Sequence, residues 1–237
     1  MTPLTGCMPA CAPMRKHKGT AMTRPKVSVC MPVFRGSRYI VDAIESVLAQ
    51  DYRDFELLVI DDCSGDCTDA IVREYAVQDP RVSFVANDSN LGMVANWNCC
   101  LAMARGSYIK FLFQDDVLTY ADSLGKMVRV LDDDPEVSLV ASARRVINGY
   151  SEVLREESFF EHSISARGAE VIRYCILKHG NVIGEPSAVL FRSEQAMRGF
   201  SIGYRQIVDL EMWFHLLEQG CFVYINEPLC GFRVHAH

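Results

Sequence analysis

The chain has 237 residues, of which 49% are hydrophobic and 23% charged, with only 15 Gly and 9 Pro; this composition excludes collagen-like, low-complexity and wholly disordered classes. A chain of this length buries about 70% of its unfolded surface and can build a core without metal or disulfide staples. With 24 basic and 30 acidic residues the net charge is −6, so no excess of positive charge exists to track a nucleic-acid backbone, and nucleic acid is not an expected partner.

Pro3, Gly6, Pro9, Pro13 and Gly19 interrupt the start of the chain, and the basic cluster at 15–18 follows its weakly apolar stretch. A secretory signal has the opposite order. Residues 1–25 are expected to form a disordered leader, with Met22 an alternative start, ahead of one domain over 26–237. Residues 27–31 read as a first strand closed by Pro32. Ile40, Ile44, Val47 and Leu48 then recur at helical spacing, with Ser37 a candidate N-cap. Residues 57–60 form a second apolar run, followed by the polar turn Asp61-Asp62-Cys63-Ser64-Gly65. Ile71, Val72, Tyr75 and Ala76 share a helix face, 82–86 read as a third strand and 94–104 as a third helix. Residues 108–113 make an almost unbroken apolar strand that stops at Gln114-Asp115-Asp116.

The second half is less regular. It reads as a helix at 124–131, a strand at 137–142, a polar excursion over 152–162 and a helix at 169–178. The loop 180–186, a strand at 188–192, a helix marked by Leu210, Trp213, Phe214 and Leu217, and a last strand at 221–225 follow. No window of about 18 apolar residues appears, so no membrane-spanning helix is expected. Cys30, Cys99, Cys100, Cys175 and Cys221 sit among apolar residues, where a free thiol packs as a small hydrophobe. Cys7/Cys11 and Cys63/Cys67 lack the partner knuckles of a zinc site. Reduced thiols and a cytoplasmic location, including the inner face of the membrane, are expected.

The alternation of strands and helices predicts an α/β fold with a mostly parallel sheet covered by helices on both faces. Ligands of such sheets bind outside the carboxyl ends of the strands. The pairs Asp61/Asp62 and Asp115/Asp116 fall at two such ends, so they are expected to share one crevice. Carboxylates placed there suit a Mg²⁺ or Mn²⁺ ion shared with substrate phosphates; capping of the next helix is the competing structural role. GxxxxGK[ST] and GxGxxG are both absent, which excludes the glycine cradles of P-loop and dinucleotide-binding proteins. Asp132-Asp133-Asp134 also spells D-x-D, but it stands at the end of a helix before Pro135 and is expected to be a solvated turn.

The runs Lys26-Val-Ser-Val-Cys-Met-Pro-Val-Phe34, Ser46-Val-Leu-Ala-Gln50, Phe55-Glu-Leu-Leu-Val-Ile-Asp-Asp62, Asn90-Leu-Gly92, Ala104-Arg-Gly-Ser-Tyr-Ile109 and Phe113-Gln-Asp-Asp116 resemble family 2 glycosyltransferases, in the family's order. The resemblance implies a GT-A fold and inverting transfer of a sugar from a nucleotide-diphosphate donor, a UDP-sugar above all. It also implies a Mn²⁺ or Mg²⁺ ion, a saccharide or lipid-linked acceptor, and a place in cell-surface polysaccharide synthesis with peripheral contact to the membrane. By the same resemblance Pro32, Phe34, Asp61, Asp62 and Asp115 bind the nucleotide, and Asp116 and His235 hold the metal. Asp209 is then the base, Glu185 and Trp213 lie on the acceptor side, and Arg233 acts on the phosphates. Two positions depart from the family pattern: Gln114 stands first in the D-x-D triplet, and Val208 stands where many members carry Glu. The chain also stops soon after His235, where members commonly continue into further helices, so a shortened C-terminus is expected. The alternative functions are a non-catalytic nucleotide-sugar-binding module and a sugar-nucleotide pyrophosphorylase; the latter would want a glycine- and basic-rich loop after the first strand.

Overall fold

In the computed structural model residues 24–235 are described. The expected leader, apart from its last two positions, and the alternative start at Met22 lie outside the described residues. β1 (Val27–Val33), β2 (Phe55–Asp61), β3 (Val82–Ala86) and β4 (Tyr108–Phe111) pair in parallel in the order β3-β2-β1-β4. Between them run α1 (Ile40–Leu48), α2 (Thr68–Gln78) and α3 (Met93–Met103). This half matches the expected alternation. Ser37 is not the cap of α1: Tyr39 holds that position, and the Ser37 N–H is instead 3.3 Å from Asp66 Oδ2.

Beyond β4 the sheet becomes mixed rather than mostly parallel. β5 (Val117–Leu118), α4 (Ser123–Asp133) and β6 (Val137–Ile147) are followed by β7 (Val153–Glu157), β8 (Ile164–Arg167), α5 (Gly168–Lys178), β9 (Val189–Arg192), α6 (Val208–Leu217) and β10 (Cys221–Arg233). β9 runs antiparallel to both β4 and β6, β10 is parallel to β6, and β5 is antiparallel to β10. β7 and β8 add antiparallel edges to β6 and β10. A strand buried on both faces is a plain apolar run whichever way it points, so the sequence of β9 carries no orientation. β10 outruns its expected end because register shifts around Pro228 carry the ladder through Asn226 and Glu227.

Alternation along the strands divides the core in two. Cys30, Leu58, Ile60, Phe111 and Phe191 face one side, beneath α3, α5 and α6 with Trp97, Cys175, Met212 and Trp213. Val29, Met31, Leu57 and Val59 face the other, beneath α1, α2 and α4 with Ile44, Val72 and Leu124. Gly168 lets α5 approach the end of α6, since a Cβ there would lie 1.9 Å from the Leu217 carbonyl oxygen. Among the described residues no helix is long and apolar enough to cross a membrane. Cys30, Cys100, Cys175 and Cys221 are free thiols, as expected, whereas Cys99 is disulfide-bonded.

Candidate active site

A cleft of about 310 Å³ opens where β1, β2 and β4 end, lined by Pro32, Phe34, Asp62, Asn96, Trp97 and Asp115 among others. The crevice expected from the strand order is there, and both acidic pairs reach it through one member each. Its wall is fixed by Gln114, whose Oε1 accepts from the Phe34 N–H (2.8 Å) and whose Nε2 donates to the Phe34 carbonyl (3.0 Å). A carboxylate could accept the first bond but not donate the second. Gln114 therefore laces the ends of β1 and β4 together through both atoms of its amide. Gly36 keeps room for this amide, because a Cβ there would lie 2.8 Å from Gln114 Oε1.

Asp61 and Asp62 have different tasks. Both carboxylate oxygens of the buried Asp61 are taken by Ser64, through its N–H (3.0 Å) and its hydroxyl. Asp61 does not line the cleft; it closes the turn after β2, which corrects its expected place among the nucleotide ligands. Asp62 Oδ1 accepts from Asn87 Nδ2 (2.9 Å) and the Leu91 N–H (2.8 Å), and Oδ2 from the Gly92 N–H (2.9 Å). A carboxylate offers about four acceptor directions, so one remains on the Asp62 Oδ2 side for a donor entering the cleft.

Asp115 and Asp116 divide in the same way. Asp115 lines the cleft, and its Oδ2 lies 3.0 Å from His235 Nε2. Asp116 is 1% exposed; its Oδ1 accepts from the Arg233 N–H (2.9 Å), and its Oδ2 is buried without a hydrogen-bond partner. Burial and the neighbouring Asp115 charge push the Asp116 carboxyl up to about 7. Asp116 Oδ2 thus lies shielded from solvent with no partner of its own, while Asp115 lines the cleft and carries His235 on its Oδ2. Behind them Lys110, fully buried on β4, donates to the Ser187 carbonyl, and burial lowers its ammonium to about 8. Arg233 is also 3% exposed, and its guanidinium donates to Asp115 O, Asn148 O, Ser151 Oγ and Asp42 Oδ2. It is a brace for β10 rather than a phosphate ligand.

Among the described residues no group of three or more His, Cys, Asp or Glu is arranged to hold a metal. A hard cation of the Mg²⁺ type commonly takes one or two protein ligands and completes its shell with substrate phosphates and water. The two-donor set Asp115/His235 fits that scheme and does not fit a closed structural metal site.

Asp209 stands in the first turn of α6, partly buried, with Oδ2 3.4 Å from Asn181 Nδ2. Burial raises its pKa, opposed by nearby backbone N–H groups. Trp213 is fully buried between Phe191 and Phe200, and its Nε1–H donates to the Gly184 carbonyl (3.0 Å). It cannot be a sugar platform on the acceptor side; it fastens the loop that carries Asn181. Glu185 lies on that loop, but its carboxylate is ion-paired with Arg144, which also holds Glu157 (2.6 Å). The expected acceptor contact at Glu185 is therefore replaced by an ion pair across the sheet. Ser187, at the far end of the same segment, accepts from the Phe113 N–H (3.1 Å) beside the cleft. Residues 181–188 thus connect the cleft to Asp209.

The second D-x-D is structural. Asp132 binds Lys26 (2.6 Å) and the Tyr108 hydroxyl (2.7 Å), at the end of β1 and β4 opposite the cleft. Sequence reasoning missed Asn87 and Asn96, both buried and bonded to each other (3.0 Å), with Asn96 also donating to the Ile60 carbonyl (3.0 Å). Asn87 directly follows β3, a position the strand-end rule could have flagged, and Asn96 is a polar residue on an otherwise apolar face of α3.

Comparison with known proteins gives a consistent answer. The Glycosyl transferase family 2 model matches residues 28–198. The putative teichuronic acid biosynthesis glycosyltransferase TuaG of Bacillus subtilis is 30% identical over 212 residues, covering 89% of this chain and 80% of TuaG. The chain spans 65% and 68% of the length of two other curated relatives. Staphylococcus aureus TarS in complex with UDP-GlcNAc superposes with a TM-score of 0.72 at 18% identity, covering 90% of this chain and 59% of that one. The mannosyltransferase PcManGT of Pyrobaculum calidifontis, in complex with GDP-Man and Mn²⁺, gives 0.60 at 19% identity, covering 89% and 57%. The strand-end cleft, the mixed sheet of GT-A type and the family match over most of its length together place the chain in glycosyltransferase family 2.

Proposed function

We propose that the protein transfers a sugar, with inversion, from a nucleotide-diphosphate donor to a hydroxyl of a saccharide or lipid-linked acceptor in cell-surface polysaccharide synthesis. A UDP-sugar is the favoured donor. The observation that carries this reading is the bridge of residues 181–188, which ties the cleft holding Asp62 and Asp115 to the carboxylate of Asp209. Asp62 receives the nucleobase through its remaining acceptor direction, against the walls formed by Pro32 and the Phe34 backbone. Asp115 and His235 are the residues that would hold a divalent cation, Mn²⁺ or Mg²⁺, and such a cation would neutralise charge on the diphosphate leaving group.

Asp209 accepts the proton of the attacking acceptor hydroxyl, and its partial burial makes it a stronger base than an exposed carboxylate. Asn181 orients it, and Trp213 orients Asn181 through Gly184. Asp116 sits behind Asp115 and fixes the last strand through the Arg233 N–H.

The test is a calorimetric titration of UDP with and without Mn²⁺. The wild-type protein should bind UDP about tenfold or more tightly with the metal, since phosphate and the Asp115 carboxylate otherwise repel. Asp115→Ala should erase that increment. Equal UDP affinity with and without Mn²⁺ in the wild type would remove the metal from the account.

A further inference from the structure

We infer that the end of the molecule around the start of α6 docks on an anionic lipid bilayer. The chain carries 30 acidic residues, yet the stretches 171–184 and 195–208 contain none. Both lead to Asp209. The first runs from α5, which packs against α6, to Asn181, whose side chain reaches the Asp209 carboxylate. The second enters α6 directly.

These stretches expose large apolar side chains that the core does not claim. Ile176 and Leu177 are 59% and 65% exposed at the end of α5, and Ile202 and Ile207 are 82% and 60% exposed in the loop before α6. Tyr204 is exposed beside them. Arg173, Lys178 and Arg205 flank them on the surface, and none forms a salt bridge with another described residue.

The loop is held in place rather than loose. Phe200 is buried against Trp97, Phe111 and Trp213, and its backbone is bonded at both ends to the Asn98 amide (2.7 and 2.9 Å). Val208 is buried at the other end. Ile207 between them takes φ +54°, a left-handed conformation unfavourable for a β-branched residue. The fixed anchors thus project the apolar side chains of 202–207 outward.

Exposed aliphatic side chains, an aromatic residue with a polar tip and basic residues on stretches that carry no acidic residue of their own are the combination that suits the interface of an anionic membrane. An apolar partner surface alone gives no reason for the basic flank, and an acidic protein alone gives no reason for the isoleucines. With no spanning helix among the described residues, attachment through this face is peripheral. The inference rests on the proposed function only in placing the acceptor side next to Asp209; a face docked there brings the base to a hydroxyl at the membrane surface.

The experiment is sedimentation of the full chain with phosphatidylcholine vesicles that contain or lack phosphatidylserine, with UDP affinity measured on the same preparations. The wild type should pellet with the anionic vesicles only. Ile202→Asp with Arg205→Glu, and separately Leu177→Asp with Lys178→Glu, should each reduce partition about tenfold or more with UDP affinity unchanged. Val77→Asp, at an 87% exposed site on α2 across the sheet, should leave partition intact. Absence of wild-type binding to anionic vesicles would overturn the inference, as would partition indifferent to both double variants. Light scattering that shows a dimer dissolved by those variants would assign the face to a second copy instead. Docking is read without turnover, so its failure leaves the transfer reading untouched, and a protein that docks but transfers nothing refutes transfer alone.

Discussion

Asp209→Asn should lower kcat for transfer by about 10²–10⁴-fold and leave UDP affinity unchanged. The substitution preserves the shape of the side chain and still offers an oxygen to Asn181 Nδ2, so the start of α6 and the loop 181–186 keep their positions. What is lost is the negative charge proposed to take the proton from the acceptor. Because Asp209 lies outside the group of side chains lining the donor cleft, nucleotide binding does not pass through it. The wild-type pH profile carries a second signature. Burial raises the Asp209 pKa, and only the carboxylate acts as base, so kcat falls as pH drops through that raised value. The acid limb should therefore lie above the ordinary carboxylate range near about 4, and Asp209→Asn should have no such limb. Steady-state kinetics across pH check both points; wild-type turnover in the variant would refute the base assignment.

Asp62→Ala should cost about 3–5 kcal/mol of folding stability and abolish measurable UDP binding. Asp62 is 3% exposed, and its carboxylate receives Asn87 Nδ2 and the backbone N–H groups of Leu91 and Gly92. Truncation leaves those donors unpaired in the partly buried turn that leads into α3. Such a loss outweighs a typical single hydrogen bond because each orphaned donor carries its own desolvation cost. Gly92 holds φ +85°, so the turn depends on this carboxylate to stay in a backbone conformation that only glycine adopts freely. Urea denaturation measures the first effect and calorimetry the second. A variant destabilised by less than about 1 kcal/mol would mean that the three bonds are dispensable.

The contrast between neighbours explains what could be read from the chain and what could not. The first half of the sheet, from β1 to β4, was legible because each strand is a short apolar run followed by a polar turn and a helix. The crevice was legible for the same reason: topology puts strand ends together whatever their side chains. The division of labour within Asp61/Asp62 and Asp115/Asp116 was not. Successive side chains at a strand end point in different directions, and their roles follow from the partner each one meets in the fold. Ser64 claims Asp61 and the 87–92 turn claims Asp62, whereas Arg233, more than a hundred residues away, claims Asp116. Trp213 and Glu185 failed as acceptor contacts on similar grounds, since an aromatic ring and a carboxylate look alike in sequence whether they face solvent, the Gly184 carbonyl or Arg144. The antiparallel β9 and the long β10 escaped notice because doubly buried runs hide their direction and a proline looks like an end.

Donor hydrolysis tests, without knowledge of the acceptor, whether the Asp209 carboxylate assists displacement at an anomeric carbon. The purified protein is incubated with Mn²⁺ and a panel of nucleotide-diphosphate sugars, and proton NMR follows the anomeric configuration of the released sugar before mutarotation. A donor with an α-linked sugar should first yield the β anomer. First release of the α anomer, or no release from any donor in the panel, would contradict it.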